Sequence, residues 1–167
     1  LPFGHIFTDH MLSMDYAGGV WQQPQIIPFG PLSINPGNAT LHYGQSIFEG
    51  MKALRAKDGR ITLFRPELNA KRFNESCKRM CMPQIDEALF IDLIKQHVAF
   101  EQNWIPNTDN SSLYIRPFIF ATDDFLGVRP SESYKFMILT CPVGAYYSEP
   151  VSVKIEEHFT RAAEGGV

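Results

Sequence analysis

Short apolar runs separated by turn residues predict strands in four segments of this chain. Ile47 to Arg55 and Arg60 to Phe64 are joined by Ala56 to Gly59, and the Asp-Gly pair in that turn supplies the backbone freedom that a β-hairpin needs. Leu113 to Ala121 and Lys135 to Val143 are β-branched and aromatic runs of strand length. Together these segments predict the body of a sheet.

Two segments between those strands have apolar residues at close to helical spacing. Pro66 suits a first helical turn, where its missing N–H would be unpaired anyway, and this helix should end before Pro83. Asp86 is the predicted N-cap of a second helix. The apolar positions are Leu68, Phe73, Cys77, Met80 and Cys81 in the first helix, and Phe90, Leu93, Ile94, His97 and Val98 in the second.

The remaining segments predict the domain organisation. Residues 1–40 are rich in glycine, proline and aromatic residues, which indicates short strands and turns, and residues 122–128 form a loop whose apolar side chains suggest a site or an interface. Many strands with two adjacent helices predict an α+β, or two-layer α/β, domain with a mainly antiparallel sheet. We expect this small domain over residues 1–143, a linker over 144–150, and the start of an incomplete large domain, opening with a strand, over 151–167.

Composition and charge narrow the possible partners. The 167 residues are 44% hydrophobic, enough for one sizeable core, and 18 acidic against 15 basic side chains give a net charge of -3. Because the charges nearly balance, the chain has no long-range electrostatic field that would attract nucleic acid or an anionic membrane. No apolar run approaches the ~18 residues that span a bilayer. Three cysteines without metal-binding spacing indicate reduced thiols in the cytoplasm. The five histidines do not predict a metal site either.

Two adjacent motifs carry a resemblance to a known family. Residues 41–53 read LHYGQSIFEGMKA and residues 64–72 read FRPELNAKR. Together they resemble the signature of branched-chain amino-acid aminotransferases, fold-type-IV enzymes that use pyridoxal 5'-phosphate. The resemblance runs from Phe3 to Gly166 and covers about the first half of such an enzyme. It implies the small N-terminal domain of a cytoplasmic homodimer that transfers the amino group of leucine, isoleucine or valine to 2-oxoglutarate.

The resemblance assigns two arginines to the cofactor. Arg72, which ends the second motif, corresponds to the arginine that binds the cofactor phosphate, and a guanidinium suits a phosphate because its planar fork gives paired, charge-assisted hydrogen bonds. Without the flanking match, an arginine on a solvated helix face would be the better interpretation. Arg161 is expected to approach the same phosphate.

The resemblance also implies a substrate pocket. Tyr114 and Arg116 lie two apart on a predicted strand, so their side chains share a face; that pattern alone favours a pair that stabilises a sheet edge, and the family match assigns the pair to the pocket and its polar end. For the apolar positions, the alternative is an ordinary core residue. The implied aromatic wall consists of Phe3, Phe48 and Tyr146, and the positions that reach into the neighbouring subunit's site are Tyr43, Leu126 and Val128.

The end of the sequence bears on catalysis. Arg161 to Val167 resembles the run that leads, within a few residues, to the lysine that holds the cofactor in this family. We therefore expect that lysine beyond Val167, no catalytic residue among these 167 residues, and no activity or covalently bound cofactor for them alone. Lys52 is interpreted as a solvated or paired strand residue.

Other functions remain open at this point. D-amino-acid aminotransferases and aminodeoxychorismate lyases share the fold but match residues 48–53 and 141–146 less closely. The chain could also be a non-catalytic assembly domain whose loop 122–128 docks on another subunit. The sequence does not predict a preference among leucine, isoleucine and valine, because half of the pocket would lie outside it.

Overall fold

An antiparallel sheet with helices against one face forms the body of the chain in a computed structural model, which describes residues 3–147 and 149–157. The strands of this part of the chain are β1 His10–Ala17, β2 Val20–Trp21, β3 Gln25–Pro28, β4 Ser46–Phe48, β5 Met51–Arg55, β6 Ile61–Leu63, β7 Ser112–Ala121 and β8 Tyr134–Val143. The helices are α1 Ala39–Tyr43, α2 Pro66–Arg79 and α3 Glu87–Phe100, with a 3-10 turn at Gln102–Trp104.

The sheet is ordered β2-β1-β8-β7-β5-β6, with β3 also paired to β1 and β4 also paired to β7. All the strand pairs are antiparallel, and the long hairpin of β7 and β8 occupies the centre. The predicted α+β class with a mainly antiparallel sheet is confirmed. The predicted hairpin of β5 and β6 is confirmed too, and Gly59 turns it in the left-handed region at φ 85°.

Both predicted helices form, and one of the two predicted faces was partly wrong. Asp86 caps α3 by accepting a hydrogen bond from the Leu89 amide at 2.9 Å. The buried residues of α3 are the five predicted ones, Phe90, Leu93, Ile94, His97 and Val98. In α2 the buried stripe is Ala70, Phe73 and Cys77, whereas Leu68 is exposed because it lies two positions before Ala70, on the opposite side of the helix.

The hydrophobic core lies between the two long helices and the sheet. Phe73 of α2, Phe90 of α3 and Phe136 of β8 meet with ring centroids 4.9 to 5.9 Å apart. Residues of β7 alternate: those at odd numbers, such as Ile115 and Ile119, are buried on the helix side, and those at even numbers, such as Tyr114, lie on the other face. The face away from the helices is therefore available for a site.

One predicted strand is broken in two. Ile47 to Arg55 was predicted as continuous, but β4 and β5 are separated at Glu49 and Gly50 although both keep the same antiparallel register against β7. Glu49 donates its amide to the carbonyl of Pro117 at 2.8 Å, and Pro117 has no N–H to return the bond. The break leaves Glu49 and Gly50 without regular strand pairing, at the edge of the sheet beside α2.

Three other segments differ from the sequence prediction. Helix α1 was not predicted; Asn38 caps it by accepting from the Thr40 amide at 3.0 Å, and Gly44 ends it at φ 64°. The N-terminal region contains one strand of eight residues, β1, rather than short strands only. The strand predicted at 151–156 was wrong, since that described segment has no regular structure. None of the described helices is long and apolar enough to cross a bilayer.

Candidate functional site

Tyr114 and Arg116 form a polar corner on the face of the sheet away from the helices. The Arg116 guanidinium donates to the Tyr114 hydroxyl through Nη2 at 2.9 Å and Nε at 3.2 Å. The same guanidinium lies 4.2 Å from the centroid of the Phe48 ring. Phe48 reaches it because β4 pairs with β7 opposite Phe118, which shares the face of Arg116. Three residues predicted for the substrate pocket are thus in contact.

Two further predicted residues complete an aromatic wall beside this corner. Phe3 packs edge-on against Tyr114 with ring centroids 4.9 Å apart, and Tyr146 packs against Phe3 at 5.6 Å. A cleft of about 260 Å³ opens here. Its lining consists of Phe3, Gly4, Phe7, Tyr114, Arg116, Leu139, Thr140 and Cys141. One cation among apolar walls suits a small acid that also carries an aliphatic part.

Gly50 is required by the position of Tyr114. A Cβ atom at Gly50 would lie 2.5 Å from the Tyr114 hydroxyl oxygen and 3.2 Å from Cζ of the same ring. Real Cβ atoms do not approach other atoms that closely, so any larger residue would displace the hydroxyl. The break between β4 and β5 therefore lets the backbone lie directly against the phenol.

Arg72 lies on the other side of the same segment, paired with a buried carboxylate. Its Nε donates to Oε1 of Glu49 at 2.5 Å and its Nη2 donates to Oε2 at 2.8 Å. Asn69, one turn earlier on α2, donates to Oε2 at 2.8 Å. Burial would raise the pKa of Glu49, but the hydrogen bonds from Arg72 and Asn69 outweigh it and lower that pKa. The hydrogen bonds that Arg72 makes to Glu49 raise the pKa of Arg72.

The remaining surface of Arg72 fits an anion. The Arg72 side chain is 69% exposed while that of Glu49 is 3% exposed. The carboxylate of the pair is therefore buried, and most of the arginine side chain is accessible to solvent. Glu49 occupies Nε and Nη2, and among the described residues Nη1 has no hydrogen-bond partner. A guanidinium edge open to solvent suits a phosphate oxygen. Arg72 does not line the cleft of Tyr114 and Arg116; the segment 48–50 lies between them.

Tyr43, Leu126 and Val128 form a separate group. The Tyr43 hydroxyl donates to the backbone carbonyl of Leu126, which joins α1 to the loop 122–128. Asp123 holds this loop by accepting from the Ser133 hydroxyl at 2.7 Å, and the predicted loop with exposed apolar side chains is confirmed. Leu126 is 62% exposed and Val128 is 91% exposed. Their contact with a neighbouring subunit stays a prediction.

Other sequence predictions concern residues outside these groups. Arg161 lies outside the described residues. Lys52 is exposed on β5, opposite Tyr114 in the strand register, in accord with a solvated strand residue. Within residues 3–147 and 149–157, no group of three or more His, Cys, Asp or Glu side chains could hold a metal ion.

Three residues of these groups, Glu49, Gly50 and Asn69, were not predicted from the sequence. One signal was available: Glu49 stands between Ile47 and Met51, which are both buried on the helix side, so alternation points the carboxylate inward. A buried carboxylate almost always has a partner. The roles of Gly50 and Asn69 depend on contacts across the fold that no local pattern indicates.

Curated relatives of this sequence share a function. The chain is 49% identical over 172 residues to branched-chain-amino-acid transaminase 1 of Bacillus subtilis (strain 168), and 51% identical over 170 residues to branched-chain-amino-acid aminotransferase 2 of the same strain. These alignments cover 100% and 99% of the chain but 48% and 47% of the relatives. The chain therefore spans about half the length of the curated relatives it matches, and corresponds to their N-terminal half. A search of protein-family models found no match.

Solved structures share the fold. A branched-chain aminotransferase of Thermoproteus uzoniensis, crystallised with norvaline, superposes with a TM-score of 0.64 at 17% identity, over 83% of this chain and 43% of that one. The T.th. branched-chain amino acid aminotransferase, complexed with N-(5'-phosphopyridoxyl)-L-glutamate, superposes with a TM-score of 0.58 at 26% identity, over 77% of this chain and 40% of that one.

Proposed function

Along its full length this chain is related to the N-terminal half of branched-chain aminotransferases, and on that premise we propose that the complete polypeptide carrying it transfers the amino group of leucine, isoleucine or valine to 2-oxoglutarate. The fold agrees with the predicted small N-terminal domain of such enzymes. The single observation that favours this substrate class is the contact of Arg116 with Tyr114 and Phe48, which puts a cation beside aromatic walls.

The proposed cofactor is pyridoxal 5'-phosphate, which supplies the electron sink for transamination when bound. The T.th. enzyme was crystallised with a phosphopyridoxyl compound. In this chain, Arg72 would hold the phosphate with the part of its guanidinium that Glu49 leaves open. Arg161 is proposed as a second phosphate contact. In this proposal, the described residues bind and orient the cofactor phosphate through Arg72.

The substrate is proposed to lie against the polar corner. The Arg116 guanidinium, held by the Tyr114 hydroxyl and the Phe48 ring, would orient a carboxylate. Phe3, Phe48 and Tyr146 would exclude water from the aliphatic side chain, and each buried methylene contributes about 0.8 kcal/mol. A corner of this kind accepts amino acid and 2-oxo acid alike, since both carry a carboxylate.

A second subunit is proposed to complete the site. Tyr43, Leu126 and Val128 expose apolar surface on α1 and the loop 122–128, and a homodimer would bury it against the neighbouring site. We propose residues 1–143 as the small domain, 144–150 as the linker to a cofactor-binding domain that begins at 151, and the cytoplasm as the location.

The test is an amino-transfer assay on the complete polypeptide that carries these 167 residues, whatever its length. With pyridoxal 5'-phosphate present, leucine, isoleucine and valine should each convert 2-oxoglutarate to glutamate, while D-alanine should not. Transfer from D-alanine with none from leucine would favour a D-amino-acid aminotransferase. Release of pyruvate and 4-aminobenzoate from aminodeoxychorismate would favour the lyase. No conversion of any of these substrates would reject the proposal.

A further inference from the structure

Glu49 is a carboxylate placed where the fold would otherwise put an apolar side chain. It stands on the helix side of the sheet between Ile47 and Met51, and it is almost completely buried. Removing a carboxylate from water is unfavourable unless donors replace the water. The position therefore needs an explanation beyond packing, because a hydrophobic residue would fill it without that cost.

Both oxygens of Glu49 are occupied by donors. Oε1 accepts from Nε of Arg72, and Oε2 accepts from Nη2 of Arg72, from the Asn69 amide at 2.8 Å and from the Gly50 backbone N–H at 3.2 Å. Asn69 also approaches the Gly50 carbonyl at 3.4 Å. The carboxylate is thus fixed by strand edge and helix together, independently of the arginine.

This arrangement determines the orientation of Arg72. A side chain that is 69% exposed would ordinarily sample many rotamers. Two parallel hydrogen bonds to an immobile carboxylate hold the guanidinium plane in one orientation, with its Nη1 edge toward solvent. On the other face of the sheet, Gly50 of the same segment lies against the Tyr114 hydroxyl.

We propose that Glu49, supported by Asn69, is a positioning residue that presents the open edge of Arg72 to the phosphate of the cofactor. The inference rests on the proposed function, since it takes that phosphate as the ligand of Arg72. Neither Glu49 nor Asn69 touches the phosphate. Their effect is to hold the cation that does.

Charge and positioning predict opposite changes in phosphate binding when Glu49 is neutralised. Glu49 is an anion beside an anion-binding cation, so neutralising it should strengthen phosphate binding if charge alone mattered. If positioning dominates, Glu49→Gln should weaken binding although it makes the site more positive. The substitution also puts an NH₂ group against the donors of Arg72 or Asn69. The sign of the change therefore separates the two possibilities.

The experiment measures dissociation constants of the complete polypeptide for pyridoxal 5'-phosphate and for pyridoxal, which lacks the phosphate. The dissociation constant for pyridoxal divided by the dissociation constant for pyridoxal 5'-phosphate reports the phosphate contribution alone, and a larger ratio means a larger contribution. We expect Glu49→Gln to reduce this ratio about ten-fold. A merely structural role would weaken both ligands equally and leave the ratio unchanged. The matched control is Glu101→Gln, which neutralises another buried carboxylate, paired with His10 at 2.7 Å, and should leave the ratio as it is.

A second variant, Asn69→Ala, tests the same role if the Glu49→Gln protein does not fold. Asn69 lies on α2, where alanine favours the helix, and its replacement by alanine removes one of the hydrogen bonds that Glu49 accepts. We expect it to reduce the ratio about three-fold. An unchanged or higher ratio in whichever variant folds would overturn the positioning role alone. A ratio near one in the unsubstituted protein would remove the cofactor phosphate as the ligand, and the proposed function would fail with it.

Discussion

Arg72 and Glu49, 23 positions apart in sequence, meet through two hydrogen bonds of 2.5 and 2.8 Å at the gap between β4 and β5. The same gap puts Gly50 against Tyr114 on the other face of the sheet. One irregular pair of residues therefore connects the predicted phosphate grip with the predicted substrate corner.

Gly50→Ala should displace the Tyr114 hydroxyl and weaken amino acid binding. The added Cβ would lie 2.5 Å from that oxygen, so the hydroxyl must shift and its hydrogen bond from Arg116 is disturbed. The backbone at Gly50 is not in the left-handed region, so we expect the midpoint of thermal unfolding to change little. The Michaelis constant for leucine should rise about ten-fold, since one charge-assisted hydrogen bond is lost.

The control for that substitution is Gly30→Ala. A Cβ at Gly30 meets no atom within 4 Å, and Gly30 is outside the candidate site. It should leave the Michaelis constant unchanged. A Gly50→Ala protein with the unsubstituted Michaelis constant would show that the phenol position is not required for binding.

Arg116→Lys should weaken binding of both the amino acid and the 2-oxo acid. Lysine keeps the charge but loses the planar fork that bonds Tyr114 and stacks on Phe48. Arg60→Lys is the matched control, because Arg60 pairs with Asp58 at 2.7 Å in the exposed turn between β5 and β6, away from the cleft. Steady-state kinetics should show raised Michaelis constants for Arg116→Lys only; equal effects in the two variants would argue against Arg116 as the polar end.

His97 should make the free energy of unfolding depend on pH. It is fully buried, and burial together with the nearby charge of His10 lowers its pKa from 6.5 to about 4. Between those values the unfolded chain binds a proton that the folded chain does not. Stability should therefore fall by up to about 3 kcal/mol as pH decreases from 6.5 to 4.

Urea unfolding at several pH values measures this dependence. His97→Gln removes the titrating ring and keeps a donor for the Thr140 hydroxyl, which His97 now meets at 3.2 Å, so the decrease in that interval should be smaller. His5→Gln, an exposed histidine, should leave the dependence on pH as it was. If the decrease is the same in His97→Gln, another group is responsible.

The three thiols should differ in reactivity. Burial raises the pKa of Cys77 to about 12 and also raises that of Cys141, whereas Cys81 is exposed. Iodoacetamide at about pH 8 should label Cys81 in the folded protein and all three after unfolding. Peptide mass mapping measures this directly, and rapid labelling of Cys77 in the folded protein would contradict the packing of α2.

The parts of the fold that were predicted depend on local patterns. The inward face of α3 follows from the spacing of five residues and one N-cap, Asp86, so nothing outside the helix was needed. The hairpin of β5 and β6 follows from the Asp-Gly pair in its turn. Such features are determined by residues close in sequence, and the periodicity of the chain is enough to find them.

The parts that were missed depend on distant residues. The break after Phe48 is caused by Pro117, which is far away in sequence and was predicted only as part of a strand. The partner of Arg72 could not be identified because the pairing of α2 with the strand edge is a tertiary contact. Tyr114 and Arg116 were predicted from a two-residue spacing and a family resemblance, and in the structure they are joined by a hydrogen bond of 2.9 Å.

A crystal structure of the complete polypeptide with pyridoxal 5'-phosphate tests most directly whether this chain supplies both the phosphate grip and the substrate corner of one active centre. We predict a phosphate oxygen about 2.9 Å from the Arg72 guanidinium, with Glu49 still holding the opposite edge and with Tyr114 and Arg116 facing the same chamber. A phosphate bound by other groups, with Arg72 directed to solvent, would contradict this assignment.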